Sequence, residues 1–294
     1  MSDEPRSDGG FVTSYGRSTD SCRTVSPRLR QIGTVARTEY RLSIRSRWAL
    51  ALVGLFAVFG AMLATFSGSA VGPEGMDRVV ASLASLSTYL VPLAALAFGY
   101  DAIVGRDEEG WLAVVFSLPV SRARVVVGTY LGRAIVLAGA TIVGFALVGG
   151  LLLREYGTAQ WASFVVFLGG AVAVGAVFLA IAVLISTLAH EKTHALGLSL
   201  LAWVWFVLIH DLLALGIVAA FSLPDVVVTG FVLANPATAF RVLVLSQLGT
   251  ASGGGFAAAF ATTSLSPELL VIALAAWGVG SLAAAAVLVD RRRL

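Results

Sequence analysis

The chain is poor in charged residues and in the side chains that bind soft metals. Only 13% of its 294 residues are Asp, Glu, Lys or Arg, and it has one cysteine and three histidines. The single cysteine, Cys22, excludes an intramolecular disulfide and a cysteine-based metal site. Because 58% of the residues are hydrophobic and the mean hydropathy is +0.90, we expect the bilayer to be the main solvent.

Two sequence motifs of catalytic proteins are also absent. No glycine-rich turn precedes Lys192, so the sequence has no P-loop, and it has no nucleophile elbow. We therefore predict that the chain is not an enzyme, that it binds no cofactor, and that any ATP it depends on is bound by a separate subunit.

Six uncharged runs are long enough to cross a membrane. A hydrocarbon layer about 30 Å thick requires roughly 20 apolar residues of helix. We predict an all-α integral membrane protein in which residues 1–27 form a disordered tail without a signal peptide and residues 28–294 form one membrane domain. The predicted spans are Trp48–Ser67, Val79–Ile103, Val125–Leu153, Ala162–Leu188, Ala195–Phe221 and Leu269–Val289.

The basic residues are distributed unequally between the two sides of these spans. Sixteen of the twenty Lys and Arg residues fall in the tails and even-numbered loops, whereas the other side carries only Arg78, Arg154 and Arg241. The positive-inside rule then places both termini in the cytoplasm of a multi-pass protein of the cell membrane. This distribution also explains the net charge of +3 without a nucleic-acid partner.

Two segments outside the spans also contain apolar residues. Between Arg28 and Arg47, arginines alternate with residues such as Ile32 and Val35, which predicts an amphipathic helix in contact with membrane lipid. The alternative is a basic flank that only sets topology. The predicted external loop 222–267 contains three apolar stretches and predicts re-entrant helices, or alternatively an extra pair of spans; these stretches are Val226–Ala234, Ala239–Leu248 and Gly253–Ala261.

The second loop joins an acidic cluster to an apolar stretch and a basic end. Pro119 interrupts the apolar stretch, Ser121 is a candidate helix cap, and two arginines follow. Such a segment can form a short helix for a cytoplasmic partner, or it can be a solvated loop. The acidic cluster is Asp107, Glu108 and Glu109.

This loop resembles the cytoplasmic loop of type-2 ABC exporter permeases. The family pattern is a Glu-rich start, a glycine, an apolar stretch, Leu-Pro-Val-Ser-Arg and a later glycine. The resemblance implies that the loop holds a coupling helix, which docks on an ABC ATPase subunit, and that two permease copies form a homodimer. The matching residues are Gly110, Leu118, Pro119, Val120, Ser121, Arg122 and Gly128.

A narrower resemblance is to the NosY branch of this family, permeases associated with maturation of nitrous oxide reductase. It rests on residues 99–105, 203–213 and 234–241, the last of which contains Asn235, Pro236 and Arg241 in the external loop. The branch implies an external accessory protein and the supply of copper or sulfur for a copper–sulfur centre. His210 and Arg106 depart from its pattern, which has Tyr and an acidic residue there.

The sequence gives little support for copper as an ion that this chain binds or transports. Beyond the initiator the methionines are only Met62 and Met76, and no external Met or His cluster suits a soft ion. A sulfur compound or a mechanical role remains an alternative. Other members of the family export drugs, lipids, polysaccharides or sodium.

Four ionisable residues fall inside the predicted spans: Asp101, Arg133, His210 and Asp211. A charge at the bilayer centre costs about 3 kcal/mol on insertion scales, so such side chains face the bundle interior or a partner. Asp101 and Arg133 lie at the same ends of consecutive spans, where they can form an ion pair or reach the interface. His210 and Asp211 lie near mid-span and could line a substrate path, bind a proton or seal a dimer interface.

One motif suggests a different function. His190, Glu191 and His194 match H-E-x-x-H, in which two histidines one helical turn apart bind zinc and the glutamate activates water. The third histidine, His210, is sixteen residues beyond His194, about 24 Å along a continuous helix. An intramembrane metalloprotease that takes a carboxylate as third ligand is therefore a second hypothesis.

Overall fold

The structure is a computed structural model that describes residues 27–67, 73–108, 121–157, 161–221, 224–248 and 265–291. All regular secondary structure in these ranges is helical. The helices are α1 (Pro27–Arg45), α2 (Trp48–Ser67), α3 (Pro73–Gly99), α4 (Val104–Glu108), α5 (Arg122–Tyr156), α6 (Trp161–Leu188), α7 (Lys192–Val204), a π-helical segment (Trp205–Ile209), α8 (His210–Ala220), α9 (Asp225–Leu233), α10 (Pro236–Ser246) and α11 (Pro267–Arg291).

The six predicted spans are confirmed as helices that are long and apolar enough to cross a membrane. They are α2, α3, α5, α6, the run from α7 through α8, and α11. Helix α5 has 35 residues, about 52 Å at 1.5 Å per residue, so it extends beyond a hydrocarbon core about 30 Å thick. Helix α6 is central, because it packs against α3, α5 and α11.

The alternation of the spans gives the bundle two ends. At one end α1, α4 and the connection from α6 to α7 lie together, and most of the arginines are found there; we call it the basic end. At the opposite end, which we call the far end, α8 and α9 are joined. The charge count predicts that the basic end is cytoplasmic and the far end external.

Helix α1 is amphipathic and packs against α5. Glu39 and Ser43 are buried on one side of it, whereas Arg30, Arg37 and Arg41 are exposed on the other. The predicted amphipathic helix before the first span is therefore confirmed.

Glycines in α5 allow α1 to approach closely. A Cβ atom at Gly132 would lie 2.6 Å from the Ala36 carbonyl oxygen, and one at Gly128 would lie 2.7 Å from Val35 Cβ. Since Val35 faces Gly128 and Glu39 faces Gly132, the two helices run in the same direction. Helix packing of this kind depends on small residues at the points of contact.

The loop after the fifth span contains a pair of short helices. Helices α9 and α10 have 9 and 11 residues, too few to cross the bilayer singly, and the chain bends by 111° between them. The vertex residue Asn235 contacts His210, which lies about 15 Å from the end of α8 at 1.5 Å per residue. The vertex therefore reaches into the bundle, which is the predicted re-entrant geometry. The third apolar stretch of this loop, Gly253–Ala261, lies outside the described residues.

Adding a methyl group at Gly132 should displace α1 from α5. We expect Gly132→Ala to destabilise the protein by about 1–3 kcal/mol through overpacking, and to lower its unfolding temperature in detergent. Gly139→Ala is the matched control on the same helix, because a Cβ atom there meets nothing within 4 Å. Equal unfolding temperatures for the two variants would contradict the close contact of α1 and α5.

Candidate functional site

The fifth span changes helix type just before its two ionisable residues. The π-helical segment Trp205–Ile209 separates α7 from α8, and α8 begins at His210. Single π turns inside helices are frequent at functional sites. The side chains of His210 and Asp211 are only 12% and 13% exposed, whereas the next residue, Leu212, is 71% exposed. Both ionisable side chains therefore face the bundle interior.

Asn235 joins the re-entrant vertex to the fifth span. Its Oδ1 atom accepts the Ala237 main-chain N–H at 2.9 Å and thereby caps α10. Its Nδ2 atom donates to the Phe206 carbonyl oxygen at 2.6 Å and to His210 Nδ1 at 3.0 Å. Because the capping bond fixes which way the amide points, His210 Nδ1 must accept, and the proton of the neutral ring is on Nε2.

Pro236 occupies the first position of α10. This position suits proline, because its missing N–H would have had no partner within the helix and its fixed φ fits the helical start. The Asn235-Pro236 pair thus starts α10 sharply, at the point where the chain turns back toward the far end.

Asp211 binds two residues of α10. Its Oδ1 atom accepts the Thr238 hydroxyl at 2.7 Å, and its Oδ2 atom accepts an Arg241 N–H at 3.1 Å. The Arg241 guanidinium also donates to the Tyr89 hydroxyl at 3.4 Å and lies 5.7 Å from the centre of the Tyr89 ring. Since Tyr89 belongs to α3, these bonds connect α8, α10 and α3. We call this group the span-five junction; its members are Tyr89, His210, Asp211, Asn235, Thr238 and Arg241.

The span-five junction combines two groups of residues that the sequence analysis treated separately. The mid-span pair His210 and Asp211 contacts Asn235 and Arg241 of the loop after the fifth span. Thr238 and Tyr89 were not among the residues that the sequence pattern singled out. The spacing of Thr238, three residues after Asn235, offered a signal because residues three apart lie on one helix face. Nothing in the sequence around Tyr89 pointed to its contact with Arg241.

A second cluster of charges lies at the basic end. Arg133 donates to Asp101 Oδ1 and to the Phe98 carbonyl oxygen, both at 2.6 Å, so the ion pair that the sequence allowed is formed. Glu39 of α1 lies 3.7 Å from Arg133 Nε and also pairs with Arg106. Glu39 was not among the predicted site residues, although an acid among the apolar residues of an amphipathic helix is a signal for a buried partner. Two acids and two arginines leave this cluster neutral.

Four residues of the predicted coupling loop are described: Asp107, Glu108, Ser121 and Arg122. Ser121 occupies the N-cap position of α5 with extended backbone, as predicted, although its side chain makes no capping hydrogen bond. Glu108 Oε1 accepts the main-chain N–H of Lys192 at 2.7 Å. The other five predicted positions lie outside the described residues: Glu109, Gly110, Leu118, Pro119 and Val120.

The H-E-x-x-H segment does not have the geometry of a zinc protease. Helix α7 begins at Lys192, so His190 precedes the helix and does not lie one helical turn from His194. Glu191 Oε2 lies 3.8 Å from His194 Nδ1, and both side chains are about two-thirds exposed, at 66% and 69%. Over the described ranges, no three His, Cys, Asp or Glu side chains are grouped so that they could hold a metal ion.

Removing the Asp211 carboxylate should destabilise the span-five junction. We expect Asp211→Ala to cost about 3–5 kcal/mol, because it leaves the buried Arg241 guanidinium without its carboxylate, and to lower the unfolding temperature in detergent. Asp225→Ala serves as the control, since that acid is exposed at the start of α9. Comparable losses in the two variants would show that the ion pair does not hold α10 in place.

Comparison with known proteins agrees with this architecture. Residues 33–294 match the family described as "ABC-2 family transporter protein". The chain is 36% identical over 270 residues to "Probable ABC transporter permease protein NosY" of Pseudomonas aeruginosa, covering 89% of this chain and 98% of the relative. It is 37% identical over 278 residues to the protein of the same description from Stutzerimonas stutzeri, covering 90% of this chain and all of the relative. The chain therefore belongs to the ABC-2 transporter family, as a membrane-spanning permease subunit similar to NosY.

Proposed function

We propose that this permease works as a homodimer with two ABC ATPase subunits, and that ATP bound by those subunits drives movement of its helices. This proposal rests on one observation: the loop with the coupling motif is attached at both ends to helices of the bundle. Residues 109–120 begin directly after α4 and end directly before α5, and both helices lie at the basic end. A segment that transmits force from a partner needs firm attachment to the spans at its two ends.

Helix α4 has such an attachment. The Ser186 hydroxyl of α6 accepts the main-chain N–H groups of Ile103 and Val104 at 2.9 and 3.1 Å. Arg106 pairs with Glu39 of α1 and donates to the Thr129 hydroxyl of α5 at 3.4 Å. Displacement of this loop by an ATPase would therefore act on α1, α5 and α6 together.

The fifth span supports the proposed homodimer. Only 11% of its most apolar window is buried within one chain, against 61% for the windows of α3 and α6. A span with so little cover is either surrounded by lipid or covered by a second copy, and we place the second copy there. Its exposed apolar residues include Leu198, Leu201, Trp205 and Leu212.

The similarity to NosY supports a more specific role. We propose that the complex acts with an external accessory protein in the maturation of the copper–sulfur centre of nitrous oxide reductase. The span-five junction lies toward the predicted external side, where such a protein would act. Within the described ranges no three His, Cys, Asp or Glu side chains are grouped so that they could hold a metal ion, and the only methionines beyond the initiator are Met62 and Met76. We therefore favour a sulfur compound or mechanical work over passage of copper through this subunit.

Purification of the tagged protein from native membranes in mild detergent tests the partnership. We expect an ATPase with a P-loop to be recovered in an amount equal to the permease, together with an external accessory protein, as identified by mass spectrometry. A transporter of known composition, purified in parallel, is the control for complexes that dissociate in detergent.

Each result of that purification has a distinct meaning. An ATPase without the accessory protein would contradict the role in nitrous oxide reductase maturation and would leave a permease for another cargo. Recovery of no ATPase, while the control complex stays intact, would contradict the proposed transporter.

Disulfide crosslinking tests the dimer interface. In a Cys22→Ser background, we expect Leu201→Cys to form a covalent dimer on oxidation, because in a two-fold dimer the same patch of each copy faces the other. Val279→Cys on α11 is the matched control, since it is exposed to a similar degree, 69% against 62%. A dimer that forms only through residue 279 would place the interface on α11.

A further inference from the structure

Glu108 belongs to the acidic cluster expected to face an ATPase, yet its side chain is directed at the fifth span of its own chain. Its Oε1 atom accepts the Lys192 main-chain N–H at 2.7 Å, and its Oε2 atom lies 3.8 Å from Lys192 Nζ. Lys192 is the first residue of α7. The carboxylate therefore binds the beginning of the fifth span and not only the lysine side chain.

The first turn of helix α7 lacks a local hydrogen-bond acceptor that this carboxylate can supply. The first N–H groups of a helix have no acceptor within it, and a negative charge at that end is favoured by the helix dipole. Glu191 occupies the capping position, but its side chain makes no capping hydrogen bond. Glu108, eighty-four residues earlier in the chain, supplies an acceptor that the local sequence does not.

Helix α4 lies close enough to α7 for the two to move together. A Cβ atom at Gly105 would lie 3.0 Å from Lys192 Cε and 3.2 Å from Asp101 Cβ. The glycine at position 105 therefore leaves room for the Lys192 side chain beside α4. The contact combines close packing with a hydrogen bond, and both are formed by the last residues before the loop with the coupling motif.

The other part of the fifth span holds the re-entrant pair. Asp211 lies nineteen residues after Lys192, about 29 Å along a helix at 1.5 Å per residue, and binds Thr238 and Arg241 of α10. A shift or rotation of α7 at the basic end would therefore displace the span-five junction, because the π-helical segment connects the two.

We propose that Glu108 is a positioning residue, which transfers movement of the coupling loop to the fifth span by capping α7, and that the fifth span transfers it to the re-entrant pair. This inference rests on the proposed function as an ATP-driven permease. It differs from the expectation for the rest of the acidic cluster, because Glu108 acts inside the permease and does not contribute to ATPase binding.

The experiment uses the purified permease–ATPase complex in lipid nanodiscs. An environment-sensitive fluorophore is attached at Phe221→Cys in a Cys22→Ser background, because Phe221 follows α8 and is 65% exposed. Two quantities are measured for every variant: the molar ratio of ATPase to permease, and the change in fluorescence on adding ATP.

We expect Glu108→Ala to keep the wild-type ratio of ATPase to permease and to reduce the ATP-dependent fluorescence change by at least about fivefold, the lower range of allosteric coupling. Glu108→Gln should recover most of the change, because its amide oxygen can still accept the Lys192 main-chain N–H. Lys192→Gln is the matched control and should resemble the wild type, because it keeps that N–H.

Several outcomes would overturn the proposal. Loss of ATPase from the Glu108→Ala complex would show that Glu108 faces the partner, as is expected for Glu109. An unchanged fluorescence response would show that the cap carries no movement, and a loss in Lys192→Gln equal to that in Glu108→Ala would assign the effect to the lysine side chain. If the wild-type chain recovers no ATPase, the proposed function fails and this inference fails with it.

Discussion

An ionised side chain inside a bilayer has no water to solvate it, and the arrangement of this bundle follows from how its buried charges are neutralised. Arg241 is paired with Asp211, and Arg133 and Arg106 are paired with Asp101 and Glu39. Each arginine lies on a different element from its acid, because Arg241 of α10 meets α8, Arg106 of α4 meets α1, and Arg133 of α5 meets the turn after α3. Neutralising the charge therefore also joins elements of the bundle. The Arg241–Asp211 pair is buried, and the cost of breaking such a pair, about 3–5 kcal/mol, is a large fraction of the stability of a typical domain. Asp101 is 41% exposed, so its pair with Arg133 is worth less.

The main chain of the re-entrant pair is subject to the same constraint, because its polar peptide groups have no water to bind inside a bilayer. A turn at membrane depth leaves peptide groups without partners unless protein supplies them. The Asn235 side chain satisfies two such peptide groups. It accepts the first free N–H of α10, and it donates to the Phe206 carbonyl oxygen in the π-helical segment of the fifth span. The Trp277 indole N–H donates to the Leu233 carbonyl oxygen at the end of α9. The fifth and sixth spans therefore both contribute hydrogen bonds that hold the re-entrant pair in place.

The fifth span is thus bound through a carboxylate at its start and through another within the span. At the basic end Glu108 contacts the start of α7, and nearer the far end Asp211 contacts α10. In both places a carboxylate from one element binds N–H groups of another. Only 11% of the most apolar window of this span is buried within one chain, which suits a span that faces lipid or a second copy.

The sequence by itself determined the number of spans, the amphipathic helix and the short helices after the fifth span, because the bilayer imposes length and apolar content on every span. It also singled out four ionisable residues within the predicted spans, Asp101, Arg133, His210 and Asp211. It also allowed the Asp101–Arg133 pair, since ends of consecutive spans are neighbours. It did not indicate Glu39, Tyr89 or the capping of α7 by Glu108. Those contacts join residues far apart in the chain, and only the packing of α1, α3 and α4 against the other helices decided which donor each acid would meet.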